Sequence, residues 1–118
     1  MNKFIYVATP YSTNADAALM LQRANDTAWY VGNLMHKHRE YFFYSPVVYF
    51  RQIALECDLP HTREFWWGVN KYALDRANEI WVLKMDGWDE SDGVKEEIEY
   101  ARSINLPIKF INLEDTSG

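Results

Sequence analysis

Short β-branched and aromatic runs take turns with helix-spaced apolar stripes along this chain. Residues 3–9, Lys3-Phe4-Ile5-Tyr6-Val7-Ala8-Thr9, are β-branched and aromatic and stop at Pro10, which predicts a strand feeding a loop that reaches Asn14. Ala17, Leu21, Ala24, Ala28, Val31 and Met35 then recur at spacings of 3 and 4. That is the stripe of a long amphipathic helix over roughly 14–39, with Asn14 or Thr13 as its N-cap. Tyr41 to Tyr44 read as a second short strand, closed by Ser45-Pro46. The stretch 47–60 is ambiguous, one helical turn or two before Pro60. A helix fits residues 63–77, with Trp66, Val69, Ala73 and Ala77 along one side. Ile80 to Met85 form a third strand, and Asp86 to Glu90 a loop. Residues 92–105 repeat the helical pattern through Val94, Ile98, Ala101 and Asn105 until Pro107 breaks it. Ile108 to Leu113 make a last strand, and Glu114 to Gly118 a frayed tail.

Strand alternating with helix predicts a mainly parallel sheet of four or five strands covered by helices on both faces. The expected architecture is one α/β domain over residues 1–118, three-layered and Rossmann- or flavodoxin-like. In such sheets a ligand sits beyond the carboxyl ends of the strands. Those ends fall at Ala8–Ser12, Ser45–Pro46 and Met85–Gly93, which makes Pro10, Ser12, Ser45, Pro46, Asp86 and Trp88 candidate ligand contacts.

Composition narrows the chemistry. Hydrophobic residues at 48% and charged residues at 25% exclude intrinsic disorder. A single cysteine, Cys57, excludes an internal disulfide framework and fits a reducing, cytosolic setting. No apolar run is long enough for a membrane span, and residues 1–10 hold too short an apolar core for a secretory signal. The net charge is −5, and the one basic cluster, His36-Lys37-His38-Arg39, ends in Glu40, so the footprint of a duplex nucleic-acid binder is missing. Zinc is disfavoured: His36 and His38 fall on different sides of a helix, and Cys57-x-x-x-His61 contains Pro60. Neither a Gly-rich phosphate loop nor a serine nucleophile elbow occurs.

One carboxylate sits where helical winding does not call for it. Winding residues 92–105 at about 100° per residue, with Val94 at zero, puts Ile98 near 40° and Ala101 near −20°. Glu96 and Glu99, at about 200° and 140°, read as solvated charges. Glu97 lands at about −60°, on the edge of the apolar stripe one turn into the helix. Burial there would raise its pKa, and the free N–H groups of the first helical turn would oppose the rise and hold it ionised. An ionised, poorly hydrated carboxylate is a nucleophile or a transition-state partner. The competing reading is a glutamate lying along the rim with its head in water. Gly93 permits close backbone approach to a ligand, and Ser91 or Asp92 supplies an N-cap whose hydroxyl or carboxylate can also face a ligand. Tyr11, Phe43 and Trp88 are rings able to stack on a flat ligand or to fill the core.

These residues fall into a familiar arrangement. Tyr6-Val7-Ala8-Thr9-Pro10-Tyr11-Ser12 resembles the first strand and loop of the nucleoside 2-deoxyribosyltransferase superfamily, which includes deoxynucleoside 5'-monophosphate N-glycosidases. Ser91-x-Gly93-x-x-x-Glu97-x-x-Tyr100-Ala101 resembles its catalytic motif. The segment Trp81-Val82-Leu83-Lys84-Met85-Asp86-Gly87-Trp88, followed by Ser91-x-Gly93-Val94, is most similar to a phage- and bacteria-associated branch, domain-of-unknown-function family 1937. The resemblance implies that Glu97 is the nucleophile that attacks C1' of a nucleoside and that Tyr6 orients it. It implies that Ser91 suits a 5'-phosphate where other branches carry an acid for a free 5'-hydroxyl. Physically, a hydroxyl donates to a phosphate and a carboxylate repels it. Asp92 reverses that preference if the register shifts by one. No cofactor is implied, and a homodimer or larger homo-oligomer is, with Trp66-Trp67 as the candidate interface.

The chain departs from the family at one position. The family carries an aspartate near the leaving base, and the matching residue here is Asn70, which hydrogen-bonds but cannot act as a general acid. Asp86 and Asp89 are the candidate substitutes. Two functions follow as expectations. One is N-glycosidic bond cleavage or transfer on a (deoxy)nucleoside 5'-monophosphate. The other is a nucleotide-binding or sensing protein that keeps the pocket with little or no turnover.

Overall fold

The computed structural model describes residues 2–60 and 62–117. Strand β1 (Lys3–Ala8) leads to helix α1 (Ala17–Lys37), strand β2 (Tyr41–Tyr44) and helices α2 (Pro46–Cys57) and α3 (Arg63–Arg76). Strand β3 (Glu79–Leu83), a 3-10 turn at Trp88–Glu90, helix α4 (Asp92–Ser103) and strand β4 (Ile108–Ile111) complete the order. The four strands are all parallel in the order β2-β1-β3-β4. The chain therefore runs one way from β1 to β2 and the other way from β3 to β4, and the strand order reverses between β1 and β3. A doubly wound sheet opens its crevice at such a point, on the carboxyl edge.

Side chains alternate across the strands and build two cores. On one face Tyr6, Ala8, Ile80 and Val82 pack under α3 and α4 through Ala73, Leu74, Val94 and Ala101. On the other, Ile5, Val7, Trp81 and Leu83 pack under α1 through Val31 and Leu34. This is the expected three-layer α/β domain, with four strands. Among the described residues no helix is long and apolar enough to cross a membrane.

The ambiguous stretch resolves into α2. Ser45 caps it by accepting from the Val48 N–H at 3.3 Å, and Pro46 occupies its first turn, where a missing N–H costs nothing. Helix α1 begins later than its pattern predicts and buries a different stripe. Its N-cap is Asp16, whose carboxylate accepts from the Leu19 N–H at 2.9 Å. Asn14 instead turns left-handed at φ 55°, and the Thr13 hydroxyl accepts from the Asp92 N–H across the molecule. The buried positions are Arg23, Ala24, Thr27, Val31 and Leu34, whereas Leu21 and Met35 stand 44% and 47% exposed. Two polar residues on the inward face rotate the stripe. Arg23 donates to the Tyr11 and Thr13 carbonyls, and the Thr27 hydroxyl donates to the Arg23 carbonyl.

Candidate functional site

A cavity of about 360 Å³ opens on the carboxyl edge at the crossover between β1 and β3. Its floor comes from the loop after β1, through Thr9, Tyr11, Ser12 and Thr13. The first turns of α4 add Ser91, Gly93, Glu96 and Glu97 on one side. Helices α2 and α3 close the other side with Pro46, Phe50, Arg51, Trp66 and Asn70.

Glu97 faces inward. It is buried on α4 and accepts a hydrogen bond from the hydroxyl of Tyr6, which is fully buried on β1 behind the cavity wall. The pairing follows from the elements. Tyr6 projects from the sheet onto the face that α4 covers, and Glu97 shares the inner side of α4 with Val94 and Ala101. Burial pushes the Glu97 carboxyl up to about 8; the Tyr6 hydrogen bond pulls it down and neighbouring Glu96 pushes it further up. At neutral pH the free protein therefore keeps the proton on Glu97. The expectation that first-turn N–H groups would hold it ionised is not met. The Val94 N–H is turned to the Ser91 hydroxyl, and the Lys95 N–H to the Ser91 carbonyl. Burial wins. Burial also raises Tyr6 well above the usual phenol range, with the Glu97 charge adding to the rise.

Ser91 caps α4, accepting from the Val94 N–H at 3.2 Å, and also lines the cavity, so the two roles read from sequence coexist. A methyl at Gly93 would meet only Ser91 Oγ, at an ordinary 3.9 Å. Nothing in the protein itself therefore demands glycine there, and the space it leaves belongs to the cavity.

The structure brings Glu97, Tyr6, Asn70, Ser91, Gly93, Ser12, Pro46 and Tyr11 to the cavity or, for Tyr6, directly behind it. It does not bring the others. Pro10 is sealed at the end of β1, and Ser45 is spent as the α2 cap. Asp92 is exposed, tied through its backbone to Thr13. Asp86 and Asp89 are exposed and outside the lining. Trp88 turns onto Phe110 with ring centres 5.5 Å apart, because left-handed Gly87, at φ 89°, directs the chain after β3 toward β4. Phe43 lies in the α1-side core against Trp81. Glu96, read as a solvated charge, lines the cavity instead.

Sequence reasoning missed Phe50 and Arg51, which lie in the stretch of ambiguous pattern, and assigned Trp66 to an interface. Phe50 and Trp66 meet with ring centres 4.4 Å apart and make an apolar platform in the wall. The available signal was Ser45-Pro46, an N-cap followed by proline at the first turn.

Three buried polar atoms around the site lack hydrogen-bond partners among the described residues: Asn70 Oδ1, Arg51 Nε and the Tyr44 hydroxyl. The Tyr44 ring packs on Tyr6 at 5.6 Å, and burial pushes its phenol up to about 12. No group of three or more His, Cys, Asp or Glu side chains among the described residues is placed to hold a metal ion. His61 lies outside the described residues, and Cys57 is exposed. The site thus combines a buried carboxyl backed by a phenol, a hydroxyl-rich end at the start of α4 and an aromatic wall carrying an arginine and an amide.

The family described as Domain of unknown function (DUF1937) matches residues 3–112. No curated protein matches the chain.

Proposed function

We propose, for a chain that belongs to the DUF1937 family, the cleavage or transfer of the N-glycosidic bond of a (deoxy)nucleoside 5'-monophosphate. The observation that carries this reading is Glu97, buried at the cavity and held by the Tyr6 hydroxyl. Cleaving an N-glycosidic bond passes through an oxocarbenium-like state, which calls for a negative group against the anomeric carbon. Ionised Glu97 supplies that group. One carboxylate oxygen bonds to C1' as the C1'–N bond breaks and its electron pair leaves with the base. Tyr6 fixes the other oxygen and limits the rotation of the nucleophile. Water, or an acceptor base, then attacks C1' and frees the carboxylate. The start of α4 suits the phosphate: its dipole is positive, and Ser91, Ser12 and Thr13 place hydroxyls near it.

A specific observation favours a second reading, binding without turnover. Asn70 offers no proton to the leaving base, and burial keeps Glu97 protonated at neutral pH. Incubating the protein with a panel of deoxynucleotides and deoxynucleosides, and resolving free base by chromatography, decides between them. Nucleosides belong in the panel because Glu96 lines the cavity on the α4 side, where a phosphate would meet its charge. Base release that Glu97→Gln reduces by about 10³-fold or more supports the glycosidase. Release unchanged in Glu97→Ala removes the mechanism, and tight binding with no release selects the second reading.

The proposal extends to self-association. Phe65, Val69 and Tyr72 on α3 stand 48%, 47% and 59% exposed, an apolar strip beside the cavity wall. A monomer in sedimentation at micromolar concentration removes this part alone.

A further inference from the structure

If the cavity cleaves an N-glycosidic bond, the base must leave either protonated or as an anion. The acids available for protonation are few. Among the described residues the cavity lining holds two carboxyls, Glu97 and Glu96. Glu97 is assigned to C1', and Glu96 stands on the α4 side with Gly93. Asp75, the acid on α3, is exposed and takes a hydrogen bond from the Tyr100 hydroxyl. The α2–α3 wall carries no acid at all among its described lining residues; it carries Arg51, Arg63 and Asn70.

Arg51 is unusual in this setting. Its Nε is sealed from solvent and has no hydrogen-bond partner, and it forms no ion pair among the described residues, where both ion pairs belong to Glu79. A sealed donor left without an acceptor costs about 1–3 kcal/mol; here that donor is Nε alone, on a side chain that is half-buried overall. Arg51 follows Phe50, whose ring rests on Trp66, and Asn70 lies one turn beyond Trp66. The unpartnered donor and the unpartnered Asn70 Oδ1 thus belong to the same cavity wall as the tilted Phe50–Trp66 ring pair. The polar end of the cavity, Ser91, Thr13 and Gly93, lies on the other wall.

We propose that Arg51 recognises an oxo group on the leaving base and stabilises that base as it departs as an anion, taking the place of the missing general acid. This inference rests on the glycosidase reading. As Glu97 bonds to C1', the C1'–N electron pair passes to the base and spreads onto its exocyclic oxo oxygens, where the guanidinium donates. The base takes its proton from water after release. Asn70 Oδ1 accepts from a ring N–H beside the oxo group. The substrate class is consequently 2,4-dioxopyrimidine and 6-oxopurine nucleotides. Adenine, which presents no oxo group and leaves poorly without a proton, is a poor substrate.

The test compares wild type, Arg51→Met and Arg51→Lys on 2'-deoxyuridine 5'-monophosphate, its 5-fluoro analogue and 2'-deoxyadenosine 5'-monophosphate, with thermal melts to confirm folding. The fluoro base is the better leaving anion and needs less help. Arg51→Met is expected to lose about 10²-fold in kcat/KM on the uracil nucleotide, the scale of one lost oxyanion donor, and several-fold less on the fluoro analogue. Arg51→Lys, which keeps the charge, recovers part of the loss. Equal losses on both uracil nucleotides overturn the proposal, as does a loss that disappears when the same variants are assayed on 2'-deoxyuridine, which would place Arg51 at the phosphate. If wild type releases no base from any substrate, the glycosidase reading fails separately. Titration of free uracil and adenine then decides the recognition half. A uracil preference that Arg51→Met abolishes upholds it, and no preference in wild type ends it.

Discussion

At the scale of single residues, the proton on Glu97 governs what the site can do. An acid raised to about 8 by burial is a poor nucleophile at pH 6 and a competent one at pH 9. If Glu97 attacks C1', log kcat/KM for base release rises with unit slope below about pH 8 and levels off above it, since that quantity reports the free protein. A profile flat from pH 5 to 9 would show that another group acts. Gly93 offers an independent check on where the ligand lies. Its missing side chain is not required by any protein neighbour, the nearest atom being Ser91 Oγ at 3.9 Å. Gly93→Ala is therefore expected to melt within about 1 °C of wild type or higher, since alanine is the better helix former. It is expected to weaken nucleotide binding by about 10-fold, the cost of roughly 1.4 kcal/mol of crowding. Calorimetric titration of both proteins reads this, and equal affinity would move the ligand away from α4.

At the scale of elements, the loop after β1 is held by a latch. Buried Arg23 on α1 donates at 2.9 Å to the carbonyls of Tyr11 and Thr13, and Thr13 in turn accepts from the start of α4. Gly87 closes the latch from the β3 side. Its φ of 89° disfavours any side chain, and a methyl there would sit 2.8 Å from Arg23 Nη2. The pinned guanidinium cannot swing aside without losing its carbonyls. Gly87→Ala is expected to destabilise by about 1–3 kcal/mol. In a cycle with Arg23→Met the two losses should be sub-additive by about 1 kcal/mol, because each releases the same loop. Strictly additive losses, measured by denaturant unfolding, would mean that the latch does not exist. The latch also explains what was legible in sequence. Every strand and the parallel sheet were readable, because short runs of β-branched and aromatic residues such as Ile5-Tyr6-Val7-Ala8 and Ile80-Trp81-Val82-Leu83, alternating with helical stripes, have few alternatives. Helical spacing put Glu97 on the edge of the apolar stripe and left an inward and a rim reading open; its burial beside Tyr6 settles the direction. The burial of Arg23, the place of Thr13 and the cavity side of α2 were not readable. A polar residue carries no periodic signal when its partners are backbone carbonyls supplied by a distant loop. Trp88 was misplaced for the same reason: one left-handed glycine redirects its loop, and hydrophobicity does not record φ.

At the scale of the whole molecule, two buried carboxyls at opposite edges of the sheet set opposing limits on stability. Glu79 lies at the amino edge, paired with Lys3 at 2.7 Å and Lys109 at 3.2 Å and accepting from the Trp81 indole at 2.8 Å. Burial pushes its carboxyl up, but these partners outweigh that and hold it at about 2. Its folded pKa lies below the unfolded value, so its contribution is complete above about pH 4.5 and is lost as pH falls toward 2. Glu97 behaves in the opposite sense. Its folded pKa of about 8 lies above the unfolded value, so from pH 4.5 upward the unfolded chain sheds a proton that the folded chain retains. Stability therefore declines through that interval and stops declining above pH 8. The decline is on the order of 5 kcal/mol if no other group compensates. Between them the two acids place maximal stability near pH 4–5, more acidic than the common range. Glu97→Gln removes the alkaline decline and should be more stable than wild type at pH 8 while differing little at pH 4.5. Glu79→Gln should cost about 1–2 kcal/mol at pH 7 and progressively less as pH falls toward about 2, where the wild-type carboxyl takes up its proton. Denaturant midpoints of the three proteins across pH 2–9 measure both limbs. If Glu97→Gln declines above pH 5 as steeply as wild type, the carboxyl is already ionised in the folded protein and the cavity is wetter than its walls imply.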